Sequence, residues 1–280
     1  MKIITHAEFE GERPLFASHN VRLENVTIHE GESALKESNH IEVSHCCLEG
    51  KYPFWHVNGL SVEDSIFEET SRAPLWYSKN VEVKNSTLHS PKSFREIKGL
   101  QLKEVELTNA IEAFWNCKEI SMENVSIKRA EYAFLNSKDI KLKNYTHEGK
   151  YAFQYVKDVE IHNSILQTKD AFWESENVTI YDSVIHGEYL AWYSKNLKLV
   201  RCTISGTQPL CYAQNLILED CHMEEDCDLC FEYSGVNARI KGNIHSVKNP
   251  LSGYIEADKI GEIIEDEHKR GEQCIYKTLS

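Results

Sequence analysis

The stretch VEIHNSILQTKDAFWESEN (159–177) runs directly into VTIYDSVIHGEYLAWYSKN (178–196), and the second is a close variant of the first. Each opens on Val and carries Ile at its third position and Asn163 or Asp182 at its fifth. In the aromatic run that follows, Trp173 and Trp192 hold the same place. Worked outward, the opening register recurs at Val21, Ile41, Leu60, Val81, Leu100, Ile120, Ile140, Val159, Val178, Leu197 and Leu216, with gaps of 19 to 21 residues. Two residues on, the position is apolar in every copy, from Leu23 to Leu218, and mostly polar residues such as Arg22, Glu82 and Lys141 lie between. Alternation with period 2 predicts a strand with one face in a core and one in water.

A fixed period of this size means a solenoid. Leucine-rich repeats set their Asn one place further along. The second half of each repeat here is short, aromatic and broken by Pro53, Pro74, Pro91 and Pro209, which argues against a helix. No six-residue period supports a left-handed β-helix. The reading is therefore all-β: a single-stranded right-handed parallel β-helix of about 11–13 turns of 19–21 residues. It forms one domain over 1–280, with an N-terminal cap at 1–12, regular turns at 13–235 and degenerate turns with a C-terminal cap at 236–280. Ile3, Ile4 and Phe9 are expected to close the core at one end. Ala238, Ile240, Ile255, Ile260, Ile263 and Ile264 are expected at the other, shielded by the polar stretch 265–272.

Within each turn, six of the ten phenylalanines share one column with mostly leucines (Leu15, Leu35, Phe54, Leu75, Phe94, Phe114, Phe134, Phe153, Phe172, Ala191, Leu210), which predicts an inward ladder of rings and branched chains. A small column at Ser18, Ser38, Ser78, Cys117, Ser137, Ser175, Ser194 and Ala213 is expected to let the chain bend. Asn25, Asp64, Asn85, Asn124, Asn144, Asn163, Asp182 and Asp220 suit a left-handed corner. Gly31, Gly50, Gly149, Gly187 and Gly206 suggest turns with positive φ.

All five tryptophans, Trp55, Trp76, Trp115, Trp173 and Trp192, stand in the column just after the Phe ladder. That column also holds Lys36, Arg95 and Gln154, residue types foreign to a core, so a partly exposed aromatic strip is expected. The next column adds His56, Tyr77, Glu96, Asn116, Tyr155, Glu174 and Tyr193. Rows of Trp and Tyr among Asn, Gln, Glu and Arg suit sugar rings, which lay C–H faces on aromatics and offer hydroxyls to polar partners. The centre is expected around His56, Tyr77, Arg95, Glu96, Trp115 and Asn116, with Trp55 and Trp76 as the stacking platform. Arg95 is read as holding an anionic group and Glu96 as the candidate base, ionised by its neighbour Arg95.

Repeats such as Asn-Val-x-Ile-x-Asn-x-x-Ile resemble the pectin-lyase-like β-helix superfamily, which includes carbohydrate lyases and hydrolases. The phrases Gly-Lys-Tyr-Pro-Phe-Trp-His (50–56), Lys-Asp-Ala-Phe-Trp (169–173) and Gly-Thr-Gln-Pro-Leu-Cys-Tyr-Ala (206–213) resemble, over nearly the whole chain, a bacterial family known only as a domain of unknown function with this fold. The resemblance implies no activity. Of the polygalacturonase blocks only Arg239-Ile240-Lys241 occurs, and acids in the outer column lie too far apart for a glycosidase pair, so a second acid would have to come from another face, such as Glu112 near Arg95 and Glu96 or Asp170 near Glu174.

Nine cysteines and no basic-then-apolar opening predict a cytoplasmic protein with reduced thiols. Stacked pairs such as Cys202 and Cys221 read as small apolar rungs, and a lone Cys227-x-x-Cys230 is a weak metal signal. No metal, cofactor or membrane segment is expected. A net charge of −13, with lysines scattered singly, excludes a nucleic-acid groove. Three functions fit: oligosaccharide or glycan binding or processing, a non-catalytic scaffold that docks a partner or a second copy through the strip, or an enzyme on another small substrate.

Overall fold

The computed structural model describes residues 1–267, 269 and 271–278. Among them there are twenty-four strands and no helix. The chain groups into two compact units, Met1–Lys141 and Leu142–Ser280, each a parallel β-solenoid wound from the same repeat.

In the first unit the strands Lys2–Thr5, His19–Glu24, Asn39–Ser44, Asn58–Glu63, Lys79–Leu88, Lys98–Leu107 and Lys118–Glu131 pair in sequence order, all parallel. The register puts Val21 beside Ile41, Ile41 beside Leu60, Leu60 beside Val81, and so on to Ile120. A second, shorter row follows the corner of each turn: Glu8–Glu12, Thr27–Glu32, Cys47–Leu48 and Ile66–Phe67. The second unit repeats the scheme from Lys157–His162 through Glu176–Tyr181, Lys195–Val200, Leu216–Met223, Gly235–Ile240 and Ser252–Ala257 to Ile275–Thr278. Both predicted apolar columns are buried in every copy, and so is the ladder from Leu35 to Leu210, whereas Leu15 in the first turn is only half-buried. Phe231 extends that ladder beyond the predicted set.

The corners take the expected left-handed backbone, and at more residues than the Asn and Asp positions. The Asn/Asp corner residues all have φ near +50°, and His45, Glu104 and Arg201 take the same conformation in their turns. Phe94, Phe114, Phe134, Phe153 and Phe172 are left-handed too, with φ between 57° and 65°. Such a backbone costs an L-residue about 1–3 kcal/mol and persists only where the surroundings enforce it. Here they do. Phe94 stacks on Phe114 at 5.1 Å, Phe114 on Phe134 at 4.6 Å, and Phe153 on Phe172 at 4.8 Å.

Several expectations are corrected. The small column hydrogen-bonds across turns: Ser78 Oγ accepts from the Val57 amide at 3.0 Å and donates to the Phe54 carbonyl at 2.9 Å. Ser137 does the same between Cys117 and Phe114. Cysteine substitutes for serine in this role, so it is more than an apolar rung. Cys117 Sγ accepts from Ile97 N and donates to Phe94 O, and Cys46 Sγ accepts from Val26 N. All nine cysteines are unpaired. Cys227 and Cys230 point their thiols at the carbonyls of Ile204 and Cys227, and burial pushes the Cys227 thiol up to about 12. Gly31 and Gly50 do not have positive φ. Gly31 is required because a Cβ there would lie 2.0 Å from the Gly11 carbonyl oxygen. Gly149 lies within the strand Lys138–Lys150. Ile3 is exposed, because it pairs with outward Arg22, while Ile4 follows inward Leu23. Ile263 is exposed as well, and the stretch 265–272 lies partly outside the described residues.

The second unit buries one polar pair, Tyr145 and His147, with the Tyr145 hydroxyl 2.9 Å from His147 Nδ1. Burial lowers the His147 pKa from 6.5 to about 3, so the native state excludes a proton that the unfolded chain binds below its ordinary pKa. The neutral imidazole's stability is present above pH 6.5 and is lost as pH falls toward 3. Urea unfolding at pH 7, 5 and 4 should show a loss approaching about 1.4 kcal/mol per pH unit below pH 6 from this residue. His147→Gln should flatten the profile by that amount, and an unchanged slope would contradict the assignment. Phe134→Ala should cost about 3–5 kcal/mol by opening a cavity in the first unit's ring ladder, measured by the same titration.

Candidate ligand-binding face

The column after the ladder carries the tryptophans because each corner turns the chain once past Phe. All five indoles are half-buried. In the first unit Lys36, Trp55, Trp76, Arg95 and Trp115 form one continuous stack. Lys36 Nζ lies 5.9 Å from the Trp55 ring, Trp55 lies parallel to Trp76 at 5.1 Å, and the Arg95 guanidinium sits 4.2 Å from Trp76 and 4.5 Å from Trp115. Parallel backbone bridges from Trp76 to Arg95 and from Arg95 to Trp115 hold the sandwich together. Each indole N–H is also used: Trp55 donates to Ala73 O at 2.9 Å, Trp76 to Lys92 O and Trp115 to Tyr132 O, both at 2.7 Å.

Both faces of Trp76 are therefore covered, by Trp55 and by Arg95. The Trp55/Trp76 pair is a structural stack rather than an open platform. Arg95 does not address Glu96. Its Nη2 donates to Glu112 Oε2 at 3.1 Å, and Lys92 Nζ reaches the same oxygen at 2.9 Å. With 19% of its side chain exposed, Arg95 is mostly occupied inside the protein. Glu96 is exposed. The sequence set Glu112 near Arg95 only as a possible second acid, and missed the role of the residue three before each stacked position. Lys92 and Glu112 clamp Arg95 from there, while Tyr52 and Tyr189 pack on Trp55 and Trp192 at 4.5 and 5.2 Å.

The outer column faces solvent. His56 and Tyr77 are exposed and stack at 5.1 Å with planes 17° apart. They line a hollow of about 240 Å³ with Val57, Asn58 and Lys79. Asn58 Oδ1 accepts from Asn80, and Asn116 Oδ1 accepts from Asn136.

In the second unit Trp173 tilts on Trp192 at 5.7 Å, and Trp192 donates to Gln208 O at 2.7 Å. Tyr155 and Tyr193 are each 44% exposed, and Glu174 is exposed between them. Tyr193 stacks on Tyr212 at 4.9 Å, and Tyr212 tilts against Tyr233 at 5.8 Å. Burial, together with the charge of Glu232, raises the Tyr212 pKa. The proposed residues thus fall into two groups, His56 and Tyr77 beside the first stack, and Tyr155, Glu174 and Tyr193 beside the second.

The chain belongs to the family described as Protein of unknown function (DUF3737), whose model matches residues 2–276. No curated protein matches it. Among solved structures it is similar to the tailspike protein of E. coli bacteriophage HK620, crystallised with a hexasaccharide. That match has 10% identity and a TM-score of 0.49, covering 89% of this chain and 66% of the tailspike chain, just under two thirds of its length. It is also similar to PfbA, a surface adhesin of Streptococcus pneumoniae, at 9% identity, 99% and 84% coverage and a TM-score of 0.37. The A-module of the Azotobacter vinelandii mannuronan C-5 epimerase AlgE4 matches at 12% identity, 99% and 90% coverage and a TM-score of 0.29.

Removing Arg95 should destabilise the first unit. Arg95→Ala breaks two ring contacts and leaves Glu112 with Lys92 alone, at a cost of about 2 kcal/mol. Calorimetry should show a drop of roughly 4–8 °C, and an unchanged melting temperature would mean the sandwich contributes nothing.

Proposed function

We propose that this DUF3737 protein binds an oligosaccharide on the outer column of its first unit, without cleaving it. The observation that carries the reading is the hollow formed by His56, Asn58, Tyr77 and Lys79. It combines an exposed aromatic pair with an amide, an imidazole, a phenol and an ammonium, the mixture that packs a sugar's C–H face while pairing its hydroxyls. A binding role is favoured over chemistry because Arg95 is held by Glu112 and stacked between two indoles. Glu96 therefore lacks the cation expected beside it. As part of the same proposal, nine unpaired thiols favour a reducing, cytoplasmic setting.

A panel of neutral and acidic oligosaccharides, read by tryptophan fluorescence and confirmed by calorimetric titration, tests the reading. At least one should bind saturably, with a signal from Trp55 and Trp76 beside the hollow. His56→Ala and Tyr77→Ala should each weaken binding about tenfold, or about 1.4 kcal/mol. Binding that survives both substitutions, or a panel with no binder, would end the proposal.

A further inference from the structure

The outer column of the second unit has a gap. Tyr193, Tyr212 and Tyr233 occupy three successive turns, with Tyr193 stacked on Tyr212 and Tyr233 tilted against Tyr212 by 32°. Going the other way from Tyr193, the next turn offers Glu174 and the one after it Tyr155. Tyr155 and Glu174 donate their amides to Trp173 and Trp192 in the following turns, and all three residues share a left-handed backbone with φ of 57°, 49° and 59°. They are therefore equivalent positions, with a short acid where a ring would stand. Parallel turns are about 4.8 Å apart, so the two tyrosines are roughly 10 Å apart. A cation midway would lie about 5 Å from each ring, inside the roughly 6 Å reach of a cation–π contact.

The same chain shows what fills such a gap. Trp76 and Trp115 are also two turns apart, and between them sits the Arg95 guanidinium, at 4.2 and 4.5 Å from the rings and paired with a carboxylate. Tyr155, Glu174 and Tyr193 also supply two rings and a carboxylate, here on the exposed side and with the carboxylate in the ring column itself, and among the described residues no guanidinium of the chain lies over either ring. Lys157, two residues past Tyr155, is tied to Glu176 at 2.9 Å.

We infer that the slot between Tyr155 and Tyr193, with Glu174 at its base, receives an arginine side chain from a basic partner peptide. Arginine fits better than lysine because its planar guanidinium stacks between flat faces while its edge pairs with a carboxylate. A chain of net charge −13 favours a basic partner through long-range attraction. This site is separate from the sugar hollow of the first unit and does not depend on it.

The test uses the whole protein with selectively labelled tyrosines and an acetylated pentapeptide carrying one central arginine, followed by NMR titration. The peptide should shift the Tyr155 and Tyr193 ring signals saturably, and its citrulline counterpart, equal in shape but uncharged, should bind at least tenfold more weakly. Tyr155→Ala and the fold-preserving Glu174→Gln should each weaken binding at least fivefold, while Glu30→Gln, on an exposed strand of the first unit, should not. Equal binding of arginine and citrulline would overturn the proposal, as would Glu174→Gln binding like the unaltered protein. Guanidinium chloride binding as tightly as the peptide would also overturn it, in favour of a small-cation site.

Discussion

A left-handed residue is costly for anything but glycine, yet each turn places several of them at its corners, many with large side chains. The structure sustains this because every corner repeats in the neighbouring turn about 4.8 Å away. A strained Phe finds another Phe in the same conformation to stack on. A buried amide at the bend finds a serine or cysteine of the next turn to accept its hydrogen bond. Leaving that amide unmet would cost about 1–3 kcal/mol. The stacking of like on like therefore decides what each column can hold.

The constraint has a consequence for binding. Column residues lie with their flat faces toward neighbours of the same column, so the indoles of the first unit spend their faces on each other and on Arg95. Their N–H groups are spent on backbone carbonyls. What faces solvent is the following column, where His56, Tyr77, Tyr155 and Tyr193 are exposed at the corner. The surface open to a ligand in this fold is the column one step outside the most conspicuous aromatic row. That column is interrupted at Glu174, which is exposed.

The same rule accounts for the charged residues. Arg95 interrupts a Trp column and is tolerated because two indole faces cover it and Glu112 neutralises it. Both ends of that ion pair are mostly buried, so its carboxylate comes from another column of the corner rather than from adjacent Glu96. Ile3 shows the converse. It is apolar but takes the outward place beside Arg22, because its position in the register, rather than its polarity, sets its direction.

The sequence by itself determined the period, the parallel strands, their inward positions and the Phe ladder, because each is a repetition at fixed spacing and repetition needs no knowledge of distant contacts. The identity of the strip's five tryptophans was also legible, as was their shared column with Arg95. Tertiary structure alone decided that the ring faces of that partly exposed column are already filled in the first unit. It also decided that Arg95 pairs with Glu112, 17 residues away, instead of its neighbour. It turned the serine and cysteine columns into hydrogen-bonding rungs and made Gly31 a matter of space rather than φ. These outcomes depend on which side chain of one turn meets which atom of the next, and that is fixed by the angle of a left-handed corner that periodicity does not encode.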